Sequence, residues 1–143
     1  MHLSAILKNK PATIVSTRPG TTVAETVKLL NEHRIGAVIV LDAERIIGIF
    51  SERDFVRGFA RHGAAVGEME VARLMTRDVI TCAPGDSVRE VMSVMTERRI
   101  RHLPVVDAGR LIGIISIGDV VKHRLEETES EVESLRDYVM TAH

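Results

Sequence analysis

Two short stretches carry the residues best suited to chemistry. Gly48-Ile49-Phe50-Ser51-Glu52-Arg53-Asp54 and Gly113-Ile114-Ile115-Ser116-Ile117-Gly118-Asp119 share one pattern: glycine, two apolar residues, serine, two variable residues, aspartate. If Ser51 and Ser116 cap helices, Asp54 and Asp119 stand within the first turn. A carboxylate there can accept hydrogen bonds from vicinal hydroxyls, such as a sugar offers. The same helix start has unpaired N–H groups and a partial positive charge, which suits phosphate. Gly48 and Gly113 lack side chains and leave the strand backbone open to close approach. Ser-x-x-Asp ahead of an apolar run is equally a capping-box signature, which needs no ligand. Capping and binding are compatible, so the motif alone leaves both open.

Cations near these motifs are distributed unevenly. Arg98-Arg99-Ile100-Arg101-His102 precedes a strand in the second half, and His33-Arg34-Ile35-Gly36-Ala37 in the first. Arg101 and His102 thus stand where Gly36 and Ala37 stand. The first motif has Arg53 where the second has Gly118. Two non-equivalent sites are expected, with phosphate charge shared by Arg53 from one half and Arg101 or His102 from the other. A solvated basic face is the competing reading. The six His and single Cys show no metal-ligand spacing, and no metal site is expected. No Gly-x-Ser-x-Gly, Cys-x-x-Cys or P-loop string occurs, so no catalytic residue is assigned. Cys82, just before Ala83-Pro84, reads as structural.

The motifs are written twice because the unit that positions them is written twice. A shift of roughly 65 residues aligns Pro19-Gly20 with Pro84-Gly85 and runs ungapped through Arg57. About 17 of 39 aligned positions are identical. Each copy opens on a β-branched piece, Thr13 to Ser16 or Val79 to Thr81. A Pro-Gly turn and an N-cap from Thr21-Thr22 or Asp86-Ser87 follow. Val23, Val27 and Leu30, like Val88, Met92 and Met95, recur at helical spacing. Two strands come next, Ala37 to Leu41 and Ile46 to Phe50, or Leu103 to Val106 and Leu111 to Ile115, each pair a tight hairpin. A second helix begins at Ser51 or Ser116. The strands are near-continuous apolar runs, which implies a sheet buried on more than one side. One unit of about 60 residues buries too little to stand alone. The expected fold is therefore α+β: two β-α-β-β-α repeats packed sheet to sheet as an intramolecular pseudo-dimer.

The expected organisation is repeat one over 3–60, a linker over 61–67, repeat two over 68–125 and a C-terminal helical extension over 126–143. Glu68 to Met75 reads as a short helix introducing the second copy, with Leu3 to Leu7 in that part for the first. In the extension Val121, Leu125, Thr128, Val132, Leu135 and Val139 follow an alternating four-three spacing, a heptad seam on a charged helix. That seam is expected to pack on its own domain or on a second subunit.

Composition narrows the function classes. Apolar residues make up 45% and aromatics only 3% with no Trp, so the core must be aliphatic. A net charge of −1 gives no general attraction to nucleic acid or an acidic membrane. Neither a signal peptide nor an apolar run long enough to span a bilayer is visible. The expectation is a soluble, cytoplasmic protein.

Two ordered copies of this pattern resemble the CBS domain pair, or Bateman module, from about Leu3 to Leu125. The second copy, VITCAPGDSVREVMSVMTERRIRHLPVVDAGRLIGIISIGDVV, is very typical of it. The resemblance implies a non-enzymatic regulatory or signal-transduction protein. It implies an adenosine-bearing ligand, AMP, ADP, ATP or NAD ahead of S-adenosylmethionine, in clefts between the copies. By the same resemblance Asp54 and Asp119 bind ribose hydroxyls, Ser51 and Ser116 face phosphate, and Arg101 and His102 meet phosphate. Adenine is held around Thr13, Ile14, Asp78 and Val79, and by Ala37, Leu103 and Pro104. The implied partners are a second copy, as a homodimer, and a regulated protein. The competing reading is a structural oligomerisation module that holds no ligand.

Overall fold

A computed structural model describes residues 2–10 and 14–141. The protein is α+β and built of two repeats, β-α-β-β-α in the first and α-β-β-α in the second. The first holds β1 (Ser16–Thr17), α2 (Val23–His33), β2 (Ala37–Asp42), β3 (Arg45–Ser51) and α3 (Glu52–His62). The second holds α4 (Val88–Arg98), β4 (His102–Asp107), β5 (Arg110–Ser116) and α5 (Ile117–Thr141). A short helix α1 (Leu3–Leu7) precedes the first, and two 3-10 turns, Gly63–Glu68 and Val71–Arg73, lie between them.

Local chemistry sets the ends of the helices. Thr22 and Ser87 are the N-caps of α2 and α4, accepting from the N–H of Glu25 at 3.2 Å and Glu90 at 3.0 Å. Asp86 is not the cap; its carboxylate accepts from the Ala83 N–H at 2.8 Å and ties the preceding turn. The repeated Arg-Ile pair ends each helix. Arg34 and Arg99 both take φ 53°, and the next N–H, of Ile35 or Ile100, returns to the carbonyl of Leu30 or Met95 at 3.0 Å. This Schellman closure also tucks the isoleucine under its own core.

Strand alternation then divides each hairpin between two surfaces. Val38, Val40 and Phe50 enter the first core with Val23 and Leu30. Ala37 and Ile39 are equally buried but outside both cores, on the opposite face of the sheet. Leu103, Val105 and Ile115 fill the second core with Val88, Val91 and Met95.

The first strands differ between copies. β1 pairs in parallel with β2, Ser16 beside Ile39 and Thr17 beside Val40. No strand forms over Val79 to Thr81; pairing there shrinks to one bridge, Cys82 beside Val105. The Cys82 N–H reaches the Pro104 carbonyl at 3.0 Å. Pro104 stands where Ile39 stands, and without an N–H it cannot carry the ladder one residue further back.

The introductory segments are exchanged. α1 does not serve the copy it precedes: Leu3 and Ile6 are buried in the second core. Val66, Val71 and Met75 are buried in the first. The exchange is symmetrical in detail. The Leu3 N–H binds the Asp86 carbonyl at 3.0 Å, and the Val71 N–H binds the Thr21 carbonyl at 2.8 Å. Glu68 to Met75 thus holds only the end of one 3-10 turn and the short turn Val71–Arg73, and it closes the first copy where a helix introducing the second was expected. Part of the expected linker is core as well, since Val66 is only 2% exposed. The physical cause is that a short apolar turn needs a groove to cover, and the groove left open in each copy is met by the other copy's leader.

α5 runs unbroken from the second copy to Thr141, so the extension continues the last helix of that copy. Leu125, Val132, Leu135 and Val139 on it are all exposed, so the seam does not pack on its own domain.

Candidate functional site

A cleft of about 1020 Å³ opens between the two copies. Its first wall is the end of β3 and the start of α3, with Ala37, Ser51, Arg53, Asp54 and Arg57. Its second wall is the end of α4 and the start of β4, with Arg98, Arg99, Arg101 and His102. Arg53, Arg101 and His102, expected to share one site, all line this cleft.

Asp54 is held from several sides. Its Oδ2 accepts from the Ser51 N–H at 2.9 Å and from Ser51 Oγ at 3.1 Å. The Asp54 N–H returns to Ser51 Oγ at 3.3 Å, which completes the capping box. Oδ1 accepts from the Thr76 hydroxyl at 3.2 Å. Thr76 arrives on the exchanged segment, where its backbone bridges to Ile49 on the edge of β3. Asp54 is only 7% exposed, a rigidly oriented carboxylate at a helix N-terminus. Arg53 reaches across the cleft and donates to the Arg99 carbonyl at 3.1 Å.

His102 faces the first copy. A Cβ on Gly36 would lie 3.2 Å from its Cε1, so a residue larger than glycine would press on the ring. Burial lowers the His102 pKa below 6.5, and Lys10 and Arg101 act the same way against the opposing pull of Glu52 and Asp119. A neutral imidazole among cations is ready to take a proton when an anion arrives.

The second motif is arranged differently. The Ser116 N–H donates to Asp119 Oδ2 at 2.9 Å, and the Asp119 N–H to Ser116 Oγ at 3.1 Å. In place of a threonine, Lys10 lies on this carboxylate, with Nζ 2.6 Å from Oδ2 and 2.7 Å from the Ile114 carbonyl. Burial pushes the Asp119 pKa up, but Lys10 and Ser116 together outweigh it and hold the carboxyl below its ordinary range. Ser116 and Asp119 are not in the walls of the cleft around Asp54.

The residues expected at adenine scatter. Ala37 lines the cleft, and Thr13 lies outside the described residues. Leu103 is 1% exposed within the second core, and Pro104 is buried beside it, so neither side chain offers the cleft a surface. Ile14 and Val79 are half-buried, Asp78 is exposed, and none of the three lines the cleft. Sequence reasoning missed Thr76, Lys10 and Gly36. The only available signal was that each leader ends in a polar residue, which says nothing about which carboxylate it meets.

Among the described residues no group of three or more His, Cys, Asp or Glu could hold a metal ion. No helix there is long and apolar enough to cross a membrane. Cys82 is buried, and burial with the nearby Asp86 charge pushes its thiol up to about 11.

Known proteins share this architecture. The chain is 42% identical to the CBS-domain containing protein ATU1752 of Agrobacterium tumefaciens, with a TM-score of 0.84 over 87% of this chain and 99% of that one. It is 35% identical over 123 residues to the mitochondrial CBS domain-containing protein CBSX3 of Arabidopsis thaliana, covering 82% of this chain and 60% of that protein's length. The CBS domain pair of protein MJ0100, solved in complex with 5'-methylthioadenosine and S-adenosyl-L-methionine, aligns with a TM-score of 0.78 at 25% identity, over 89% of this chain and 98% of that one. The CBS domain model matches residues 9–61 and again 70–126, and the chain belongs to the CBS-domain family as a tandem pair.

Proposed function

We propose that this chain is a regulatory module that binds an adenosine-bearing anion, of the AMP, ADP, ATP or NAD type, in the cleft beside Asp54. The observation that carries this is the convergence of an oriented carboxylate with Arg53, Arg101 and His102 from opposite copies. A carboxylate has about four acceptor sites, and the bonds from Ser51 and Thr76 leave room on Oδ1 for a ribose hydroxyl. The start of α3 and the arginines take the phosphates. Ala37, which lines the cleft, serves the base. At Ser116 and Asp119 a ligand must first displace Lys10, which makes the sites unequal. S-adenosylmethionine, a sulfonium cation, suits an arginine-rich wall less well.

A ligand held by Asp54 on one copy and Arg101 on the other favours one angle between the copies. It shifts the population of a homodimer, or of a surface for a regulated protein, by the difference in its affinity for the two arrangements. Calorimetry with AMP, ATP, NAD and S-adenosylmethionine tests this. Saturable binding of one adenine nucleotide is expected, and Asp54→Asn or Arg101→Gln should each weaken it at least about tenfold while melting stays cooperative. Phosphate beside His102 should draw a proton, so binding tightens as pH falls from neutral toward the lowered pKa of the free imidazole, and His102→Gln flattens that slope. No saturable binding by the whole panel overturns the reading in favour of a scaffold.

A further inference from the structure

The strongest unassigned feature is the exposed apolar seam of α5. From Val121 to Val139 a seam of apolar residues faces solvent, with Leu125 59% and Leu135 64% exposed. It covers about 27 Å of helix, and one polar residue, Thr128, interrupts it. With Leu125, Val132 and Val139 as heptad positions a, and Val121, Thr128 and Leu135 as d, the flanking positions follow. Lys122, Glu129 and Arg136 are at e; Arg124, Glu131 and Tyr138 are at g.

We infer that α5 forms a parallel two-stranded coiled coil with α5 of a second copy. Charge decides the direction. In a parallel pair, g of one helix meets e of the next heptad on the other. That sets Arg124 against Glu129 and Glu131 against Arg136, each twice by symmetry, and every pair is of opposite sign. An antiparallel pair centred on the same seam brings e against e, setting Lys122 against Arg136 and Glu129 against itself. Valine at a with leucine at d in the last turns, Val132, Leu135 and Val139, also suits two strands. Arg124 bonds Glu127 within its own helix at 3.1 Å, an exposed contact it can exchange at little cost.

This inference rests on the homodimer proposed above and is independent of ligand binding. Sedimentation of the full chain from about micromolar to about millimolar concentration reads it. A dimer is expected. Leu135→Asp should raise its dissociation constant at least about a hundredfold. Arg136→Glu should weaken it about tenfold, and Glu131→Arg with Arg136→Glu should restore it. An antiparallel coil predicts the opposite for Arg136→Glu, because Lys122 would gain a partner; tightening therefore overturns the direction. A dimer indifferent to Leu135→Asp places the interface elsewhere and overturns the coiled coil, while leaving the homodimer standing. A wild-type monomer throughout overturns both.

Discussion

Leu3→Ala tests the exchange of leader segments, because Leu3 precedes the first copy and packs in the second. Leu3 is 0% exposed and sits in the core with Val88, Met95, Leu103 and Ile115. Truncation to alanine removes three carbons, about 2.4 kcal/mol at about 0.8 per methylene. A cavity that closes only in part brings the total to about 3 kcal/mol. The cost should fall on the second copy. Hydrogen exchange followed by mass spectrometry resolves it by segment: peptides from α4, β4 and β5 should lose about a hundredfold protection, and those from α2, β2 and β3 far less. Val71→Ala is the mirror experiment, since Val71 precedes the second copy and is 0% exposed in the first core; about 2 kcal/mol should fall on α2 and β2. Equal loss in both copies, or loss centred on the first after Leu3→Ala, refutes the reasoning.

Two further predictions follow from the ionisable groups. The folded pKa of Asp119 lies below its ordinary 3.8, so its stabilisation is fully present above about pH 4 and fades as pH falls through the folded value. Urea midpoints taken from about pH 6 to about pH 2 should fall more steeply for the native chain than for Lys10→Met, and identical curves would show that the pair carries no stability. Cys82, buried with its pKa pushed up to about 11, should react with a thiol reagent near neutral pH only through opening of the second copy. Leu3→Ala should speed that labelling, and native labelling as fast as in the unfolded chain would contradict the burial.

Much of the fold was legible because its signals are local. A cap such as Thr22 or Ser51 acts within one turn, and the unbroken apolar run from Ala37 to Leu41 marks a strand buried on both faces. Chain length between Pro-Gly turns, apolar runs and the hairpin at Ala43 or Ala108-Gly109 required no knowledge of distant partners. The candidate site was half legible. The repeat shift placed Arg101 and His102 opposite Gly36 and Ala37, but it could not show that Gly36 makes room for the His102 ring. It also could not foresee that Pro104, by lacking one N–H, would shorten the first strand of its copy.

The sequence by itself determined that the chain is two copies of one unit, the order of the long helices and hairpins within each, and which serine and aspartate cap each final helix. Those are properties of periodicity and of contacts a few residues long. Only the tertiary structure decided that the leaders cross over, that Thr76 rests on Asp54 while Lys10 rests on Asp119, and that Arg98, Arg99 and Arg101 at the end of α4 and just beyond face the first motif. The physical reason lies in the repeat. Two similar copies offer each leader two similar apolar grooves, and the short pattern of Leu3 and Ile6, or of Val71 and Met75, does not say which it fills. Chain connectivity and the packing of one copy on the other break the tie, and neither is written in any short stretch of residues.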